Sequence, residues 1–152
     1  MTPTLAGRWQ TRILLTLLVG LPVTFLFSLF YFGLGADDFD IPFRVLAAIL
    51  ILGLLLDPLY IALQGFRWDH DWPFAFQVFF SIVEFLIVLG IGEIPGLDDI
   101  LGFNAFASFD RFLTFATHFG LVLLPSTIAV LGVLQIFLLR WRFKGGQLGR
   151  MK

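Results

Sequence analysis

The chain has 152 residues, of which 59% are hydrophobic and 14% charged, and its formal net charge at pH 7 is −1. Soluble domains carry about 25% charged residues, so this composition, with a mean hydropathy of +0.93, excludes an ordinary soluble domain. The absence of cysteine excludes disulfides, zinc–thiolate sites and cysteine-ligated iron–sulfur clusters.

Four apolar runs are each long enough to cross a bilayer core of about 30 Å, which takes about 20 helical residues. They lie at residues 12–33, 43–66, 73–92 and 112–139. Runs such as residues 49–56 do not alternate apolar and polar side chains, which favours helices over strands. The sequence therefore predicts an all-α integral membrane protein, in which four transmembrane helices form an antiparallel bundle. Residues 1–152 are predicted to be one transmembrane domain.

The first span is longer than the apolar part of a secretory signal and is predicted to be an uncleaved anchor. Residues spaced four apart give this helix a ridge of small side chains, which lets a neighbouring backbone approach closely. These residues are Thr16, Gly20, Thr24 and Ser28. Pro22 is expected to bend the helix, because a proline cannot donate to the carbonyl of Leu18.

Two connections separate the spans on one side of the bundle. Residues 33–42 hold Asp37, Asp38 and Asp40 without the spacing of a calcium loop, so a solvated turn is predicted. Residues 93–111 are too apolar for a free loop, and we expect a short interfacial helix there. Its lipid-facing side chains would be Leu97, Ile100, Leu101, Phe103 and Phe106.

Once the spans are placed, the basic and acidic residues fall mostly on opposite sides of the membrane. The side with the two termini and the turn between spans two and three carries eight of the ten basic residues and two acids, a balance of +6. The opposite side has a balance of −5, and all four tryptophans fall on the positive side. The positive-inside rule then predicts that both termini are cytoplasmic, in a bacterial inner or internal membrane.

Asp57, Glu84 and His118 lie inside the predicted spans. Counting about 1.5 Å per residue places them about 13, 16 and 20 Å from the cytoplasmic ends of their spans, so that they can meet near mid-membrane. Polar stripes accompany them on two helices, where helical spacing aligns further polar residues with the acids. These further residues are Tyr60 and Gln64 in the second span and Gln77 in the third.

The sequence places no lysine or arginine deep in the predicted spans, so the two acids need another source of neutralisation. A charge at the bilayer centre costs about 3 kcal/mol on insertion scales, and two adjacent carboxylates do not both ionise easily there. The acids would be protonated, share a proton, pair with a charged His118 or hold a cation. A second polar group also needs a partner, because Pro58 leaves the carbonyl of Leu54 without its helical hydrogen-bond donor.

Four interpretations of this polar set stay open. It is a structural hydrogen-bonded link between helices, or a proton or cation path through Asp57, Glu84 and His118. A haem or pigment could have His118 as its axial ligand, although no cofactor is predicted. Catalysis has weak support, since no hydrolase, metalloprotease or nucleotide-binding motif is present; no metal site is predicted either.

The turn between spans two and three has an aromatic and charged sequence. It is interpreted as a headgroup-level anchor, with a docking patch or weak metal site as the alternative. Its residues are Arg67, Trp68, Asp69, His70, Asp71 and Trp72. The basic C-terminal tail either binds anionic lipid or only fixes the topology.

The leading prediction is a non-enzymatic accessory, structural or assembly subunit of a larger membrane complex, or a homo-oligomer. A small proton- or cation-coupled transporter or channel subunit is the alternative. The lipid bilayer and another membrane protein or a second copy of the chain are the expected partners, and nucleic acid is not.

Overall fold

The computed structural model describes residues 4–66, 74–96, 102, 104–132 and 134. Within these residues the chain forms four helices and no strand. The helices are α1 (Leu5–Tyr31), α2 (Ile41–Gly65), α3 (Phe74–Ile91) and α4 (Phe109–Leu131). The predicted all-α fold is thus confirmed for the part of the chain that the structure describes.

Three of these helices are long and apolar enough to cross a membrane. Helices α1, α2 and α4 contain 27, 25 and 23 residues, which corresponds to about 35–40 Å each. Helix α3 has 18 residues, or about 27 Å, slightly less than the apolar core of a bilayer. The chain is therefore a membrane protein by the length and composition of three helices, and α3 covers the predicted span 73–92 less completely.

Helix α1 begins earlier than the sequence analysis places its first span. The hydroxyl of Thr4 accepts a hydrogen bond from the backbone N–H of Gly7 at 3.1 Å, so Thr4 is the N-cap and the helix begins at Leu5. The predicted span begins only at residue 12. Arg8 therefore belongs to the helix itself rather than to a flanking tail, and Arg12 lies two turns inside the helix rather than at its first residue.

One turn of α1 is wider than an α-helical turn. Residues Thr16–Gly20 form a π-helical turn, in which the N–H of Leu21 bonds to the carbonyl of Thr16. In a regular α-helix, each step of four residues moves the side chain about 40° further around the helix axis. A π-helical turn contains more residues than an α-helical turn, so it reverses part of this rotation. Arg12, before the turn, and Thr24, after it, consequently both face the interior of the bundle.

The predicted ridge of small residues faces the neighbouring helices. Gly20, Thr24 and Ser28 are buried, and Thr16 is half-buried. A Cβ atom at Gly20 would lie 3.3 Å from the side chain of Leu46 on α2, so only a very small residue fits without displacing that neighbour.

The apolar core joins α2, α3 and α4 with the segment between α3 and α4. Its fully packed members are Val45, Phe85, Val88, Leu89, Ala105 and Phe115. The rings of Phe85 and Phe119 stack with their centroids 4.3 Å apart. Glu93 ties the connecting segment to α3, since its carboxylate accepts from the N–H of Phe106 at 2.9 Å.

The predicted interfacial helix falls mostly on residues 97–101 and 103, which lie outside the described residues. Phe106, which is described, is exposed and belongs to a turn rather than a helix. Helix α4 begins directly after this turn, where the hydroxyl of Ser108 accepts from the N–H of Arg111 at 3.2 Å.

Candidate functional site

Arg12 binds both intramembrane acids at once. Its Nε donates to Oδ2 of Asp57 at 3.3 Å and its Nη2 donates to Oδ1 at 3.1 Å. On the other side, Nη1 donates to Oε2 of Glu84 at 2.7 Å and Nη2 donates to Oε1 at 3.0 Å. Both carboxylates are therefore held by two bonds each, which is the strongest arrangement between a guanidinium and a carboxylate. We call this group of Arg12, Asp57 and Glu84 the arginine clasp.

The arginine clasp joins three helices at a buried point. Asp57 on α2 and Glu84 on α3 are each 1% exposed, and Arg12 reaches them from α1. Breaking a buried ion pair by removing one partner costs about 3–5 kcal/mol, because the remaining charge is left uncompensated. The clasp thus fixes the relative positions of α1, α2 and α3 more strongly than a surface ion pair would.

Gly53 makes room for the guanidinium of Arg12. It lies one turn before Asp57 on the same face of α2, and it is buried. A Cβ atom built on Gly53 would overlap the Nη1 and Cζ atoms of Arg12. The glycine is required here for the close approach of a charged side chain to the helix backbone.

Arg8 adds a second positive charge beside the clasp. Its Nη2 donates to the amide oxygen of Gln64 at 3.3 Å, and its Nη1 lies 3.9 Å from Oδ1 of Asp57. The two guanidinium groups and the two carboxylates sum to zero charge. Gln64, predicted as part of the polar stripe, therefore helps to position Arg8.

The remaining members of the two polar stripes lie close to the clasp. Tyr60 is 4% exposed and its side chain interacts with Glu84, while its ring packs on Phe80 at a centroid distance of 4.6 Å. Gln77 lies at the first turns of α3, where its carbonyl accepts from the hydroxyl of Ser81 at 2.9 Å.

His118 is buried but it does not join the two acids. Its Nε2 lies 2.9 Å from the hydroxyl of Thr24, and its ring packs on Phe27 at 5.0 Å. Its Nδ1 is buried without a hydrogen-bond partner among the described residues. The structure thus brings Asp57 and Glu84 together through Arg12, whereas it links His118 to the packing ridge of α1.

Trp9 satisfies the backbone carbonyl that Pro58 leaves without a donor. The indole Nε1 donates to the carbonyl of Leu54 at 3.1 Å. Proline at position 58 has no N–H, so it cannot make the helical bond to Leu54, four residues earlier. In lipid such a group costs several kcal/mol when unpaired, and α1 supplies the missing donor one turn away from Arg12.

A cleft of about 170 Å³, lined by residues of all four helices, opens beside the clasp. We call it the clasp cleft. Its polar lining includes Arg12, Glu84, His118, Ser81, Ser126 and Thr127. Pockets for drug-sized ligands measure about 300–1,000 Å³, so the cleft is of a size for a smaller group.

Several predicted site residues fall where the structure gives no description. The turn of Arg67, Trp68, Asp69, His70, Asp71 and Trp72, and the basic C-terminal tail, lie outside the described residues. Within the described ranges, no group of three or more His, Cys, Asp or Glu residues is arranged to hold a metal ion.

No protein-family model, curated protein or solved structure matches this chain. The function proposed below therefore rests on the geometry of the site.

Replacing Gly53 by alanine should break the arginine clasp. The new Cβ overlaps the guanidinium, so Arg12 must move away from at least one acid, and the free energy of unfolding should fall by about 3 kcal/mol or more. Denaturant titration in detergent micelles measures this. Gly120→Ala is the matched control, since a Cβ there meets nothing within 4 Å and alanine raises helix propensity by up to about 1 kcal/mol. Equal stability of Gly53→Ala and wild type would contradict the clasp geometry.

Charge removal should show non-additive effects among the clasp residues. Arg12→Met leaves the two carboxylates with only Arg8 to balance them and should cost about 3–5 kcal/mol, while Arg12→Lys should be intermediate, because an ammonium cannot fork to both acids. Adding Glu84→Gln to Arg12→Met leaves Arg8 to balance Asp57, so the site is again electroneutral and the double variant should regain much of the loss. If the double variant is as unstable as Arg12→Met, or more so, charge pairing is not what Arg12 supplies.

Trp9→Phe should lose about 1–3 kcal/mol of stability, because it leaves the carbonyl of Leu54 without a hydrogen-bond donor. The same substitution in a Pro58→Ala background should cost almost nothing, because alanine restores the helical N–H to the carbonyl of Leu54. A double-mutant cycle of the two changes measures this coupling. Simple additivity of the two effects would show that the indole does not serve that carbonyl.

Proposed function

We propose that the protein is an accessory or assembly subunit of a larger membrane complex, or a homo-oligomer, and that it has no enzymatic activity of its own. In this proposal it is built as an antiparallel bundle of four transmembrane helices. The observation that carries the proposal is the arginine clasp. The two buried acids, which would otherwise be the natural residues of a transport path, are already neutralised by the chain itself.

The arginine clasp disfavours ion conduction through Asp57 and Glu84. A carboxylate that carries a proton or cation across a membrane must exchange its partner during each cycle. Here each carboxylate would first have to release its two hydrogen bonds to Arg12. Breaking a buried ion pair in this way costs about 3–5 kcal/mol. A permanent ion pair is better suited to holding helices together.

The outward faces of the helices support association with lipid and with other membrane helices. They carry large exposed apolar side chains, which in a membrane contact lipid tails or neighbouring helices. Examples on the four helices are Leu18 and Phe30, Leu55, Phe79 and Ile128. The apolar surface suits a protein embedded throughout its length in a membrane.

Reconstitution and native electrophoresis test this proposal together. Wild-type protein in proteoliposomes should show no proton or cation flux above that of protein-free vesicles, and Glu84→Gln should not change this result. Asp110→Asn, at an exposed acid in the first turn of α4, is the matched charge control. Under mild detergent the native protein should migrate with a stoichiometric membrane partner or as a defined oligomer.

Flux that is present in wild type and lost only in Glu84→Gln would support the transporter alternative instead. A monomer without partners in the mildest detergent that extracts it would argue against the accessory role.

A further inference from the structure

The clasp cleft lies beside the contact between α3 and α4. The stacked rings of Phe85 and Phe119 bring these two helices together, and Phe119 also lines the cleft. Next to this contact the lining has small side chains, which are Ser81 on α3 and Ser126 and Thr127 on α4. Arg12 of α1 and residues of α2 complete the wall of the cleft, whose volume is about 170 Å³.

The charge of the cleft lining favours a neutral occupant. Its charged members are Arg8, Arg12, Asp57 and Glu84, and these four carry no net charge. Four guanidinium donors of Arg12 are taken by the two acids. An anionic or cationic head group would therefore enter a low-dielectric site without a free counter-charge, at a high desolvation cost.

The uncharged lining combines hydroxyls with hydrocarbon. Ser81 uses its hydroxyl proton on the carbonyl of Gln77, which leaves its oxygen as an acceptor. Ser126 and Thr127 are half-buried and add two more hydroxyls to the lining, and a hydroxyl can both donate and accept a hydrogen bond. The rest of the wall is largely aliphatic, with Val78, Val122, Leu123 and Val130 among its residues. Such a wall suits a hydrocarbon chain better than water.

We propose that the clasp cleft binds a neutral single-chain amphiphile. Its hydroxyl or carbonyl head group hydrogen-bonds to Ser81, Ser126 and Thr127, and its chain lies along the aliphatic wall. A two-chain lipid is too bulky for this volume, so only a head group and the adjoining part of one chain enter. This site is additional to the role of the protein as a subunit, and it does not depend on that role.

Photo-crosslinking in nanodiscs tests the proposal. The full chain in phosphatidylcholine nanodiscs is exposed to a photoactivatable monoacylglycerol, and to a carboxylate and a quaternary ammonium probe of the same chain length. The neutral probe should label α3 or α4 saturably, as mapped by mass spectrometry, and unlabelled monoacylglycerol should compete. Labelling by either charged probe should be at least about tenfold weaker.

Substitutions that fill the cleft provide the structural control. Ser126→Phe should reduce labelling by the neutral probe about tenfold, whereas Leu124→Phe, at a neighbouring residue that is 64% exposed and lies outside the cleft lining, should not change it. Val122→Phe fills the cleft one turn earlier and replaces Ser126→Phe if that variant does not fold. Non-saturable labelling, equal labelling by the charged probes, or labelling unaffected by the cleft-filling variant would each overturn the proposal. None of these results depends on whether a partner subunit is found.

Discussion

The guanidinium of Arg12 is the group on which the rest of the structure depends. It lies between Asp57 and Glu84 with two hydrogen bonds to each. Guanidinium is the suitable cation because its planar fork reaches two carboxylates at once, which an ammonium does not. The other features of the site follow from this placement. Gly53 leaves space for the cation, Arg8 balances the second negative charge, and Tyr60 closes the site beside Glu84.

Helix α1 also compensates for irregularities in the helical backbone of the bundle. Pro58 would leave a carbonyl of α2 unpaired in the membrane, and Trp9 of α1 donates to it. The π-turn at Thr16–Gly20 then changes the phase of α1, so that the residues after it continue to face the bundle. One helix thus neutralises the buried acids with its first turns, and with its later turns it packs Thr24 against His118 of α4.

The sequence predicts helices and the alignment of polar residues along them, because apolar length and helical spacing are local properties. It misses Arg12 as the partner of the acids, because depth in the membrane depends on where α1 begins. If Arg8 and Arg12 are taken as charges that flank the span, they are not considered as partners of the acids. Two features of the sequence indicate otherwise: Thr4 is a good N-cap, and both arginines continue the four-residue spacing of the ridge. His118 illustrates a different limit. Its depth is similar to that of the acids, but rotation about the helix axis turns it toward Thr24, and a single sequence does not fix that rotation.

The position of the two arginines also bears on the orientation of the chain in the membrane. Counted as flanking residues, Arg8 and Arg12 contribute to the balance of +6 on the side of the termini. Once they belong to the electroneutral group with Asp57 and Glu84, that side keeps +4 and the opposite side keeps −5, which again totals −1. The charge asymmetry from which the sequence predicts cytoplasmic termini is therefore kept without them. The four charges of Arg8, Arg12, Asp57 and Glu84 instead cancel one another and hold the helices together.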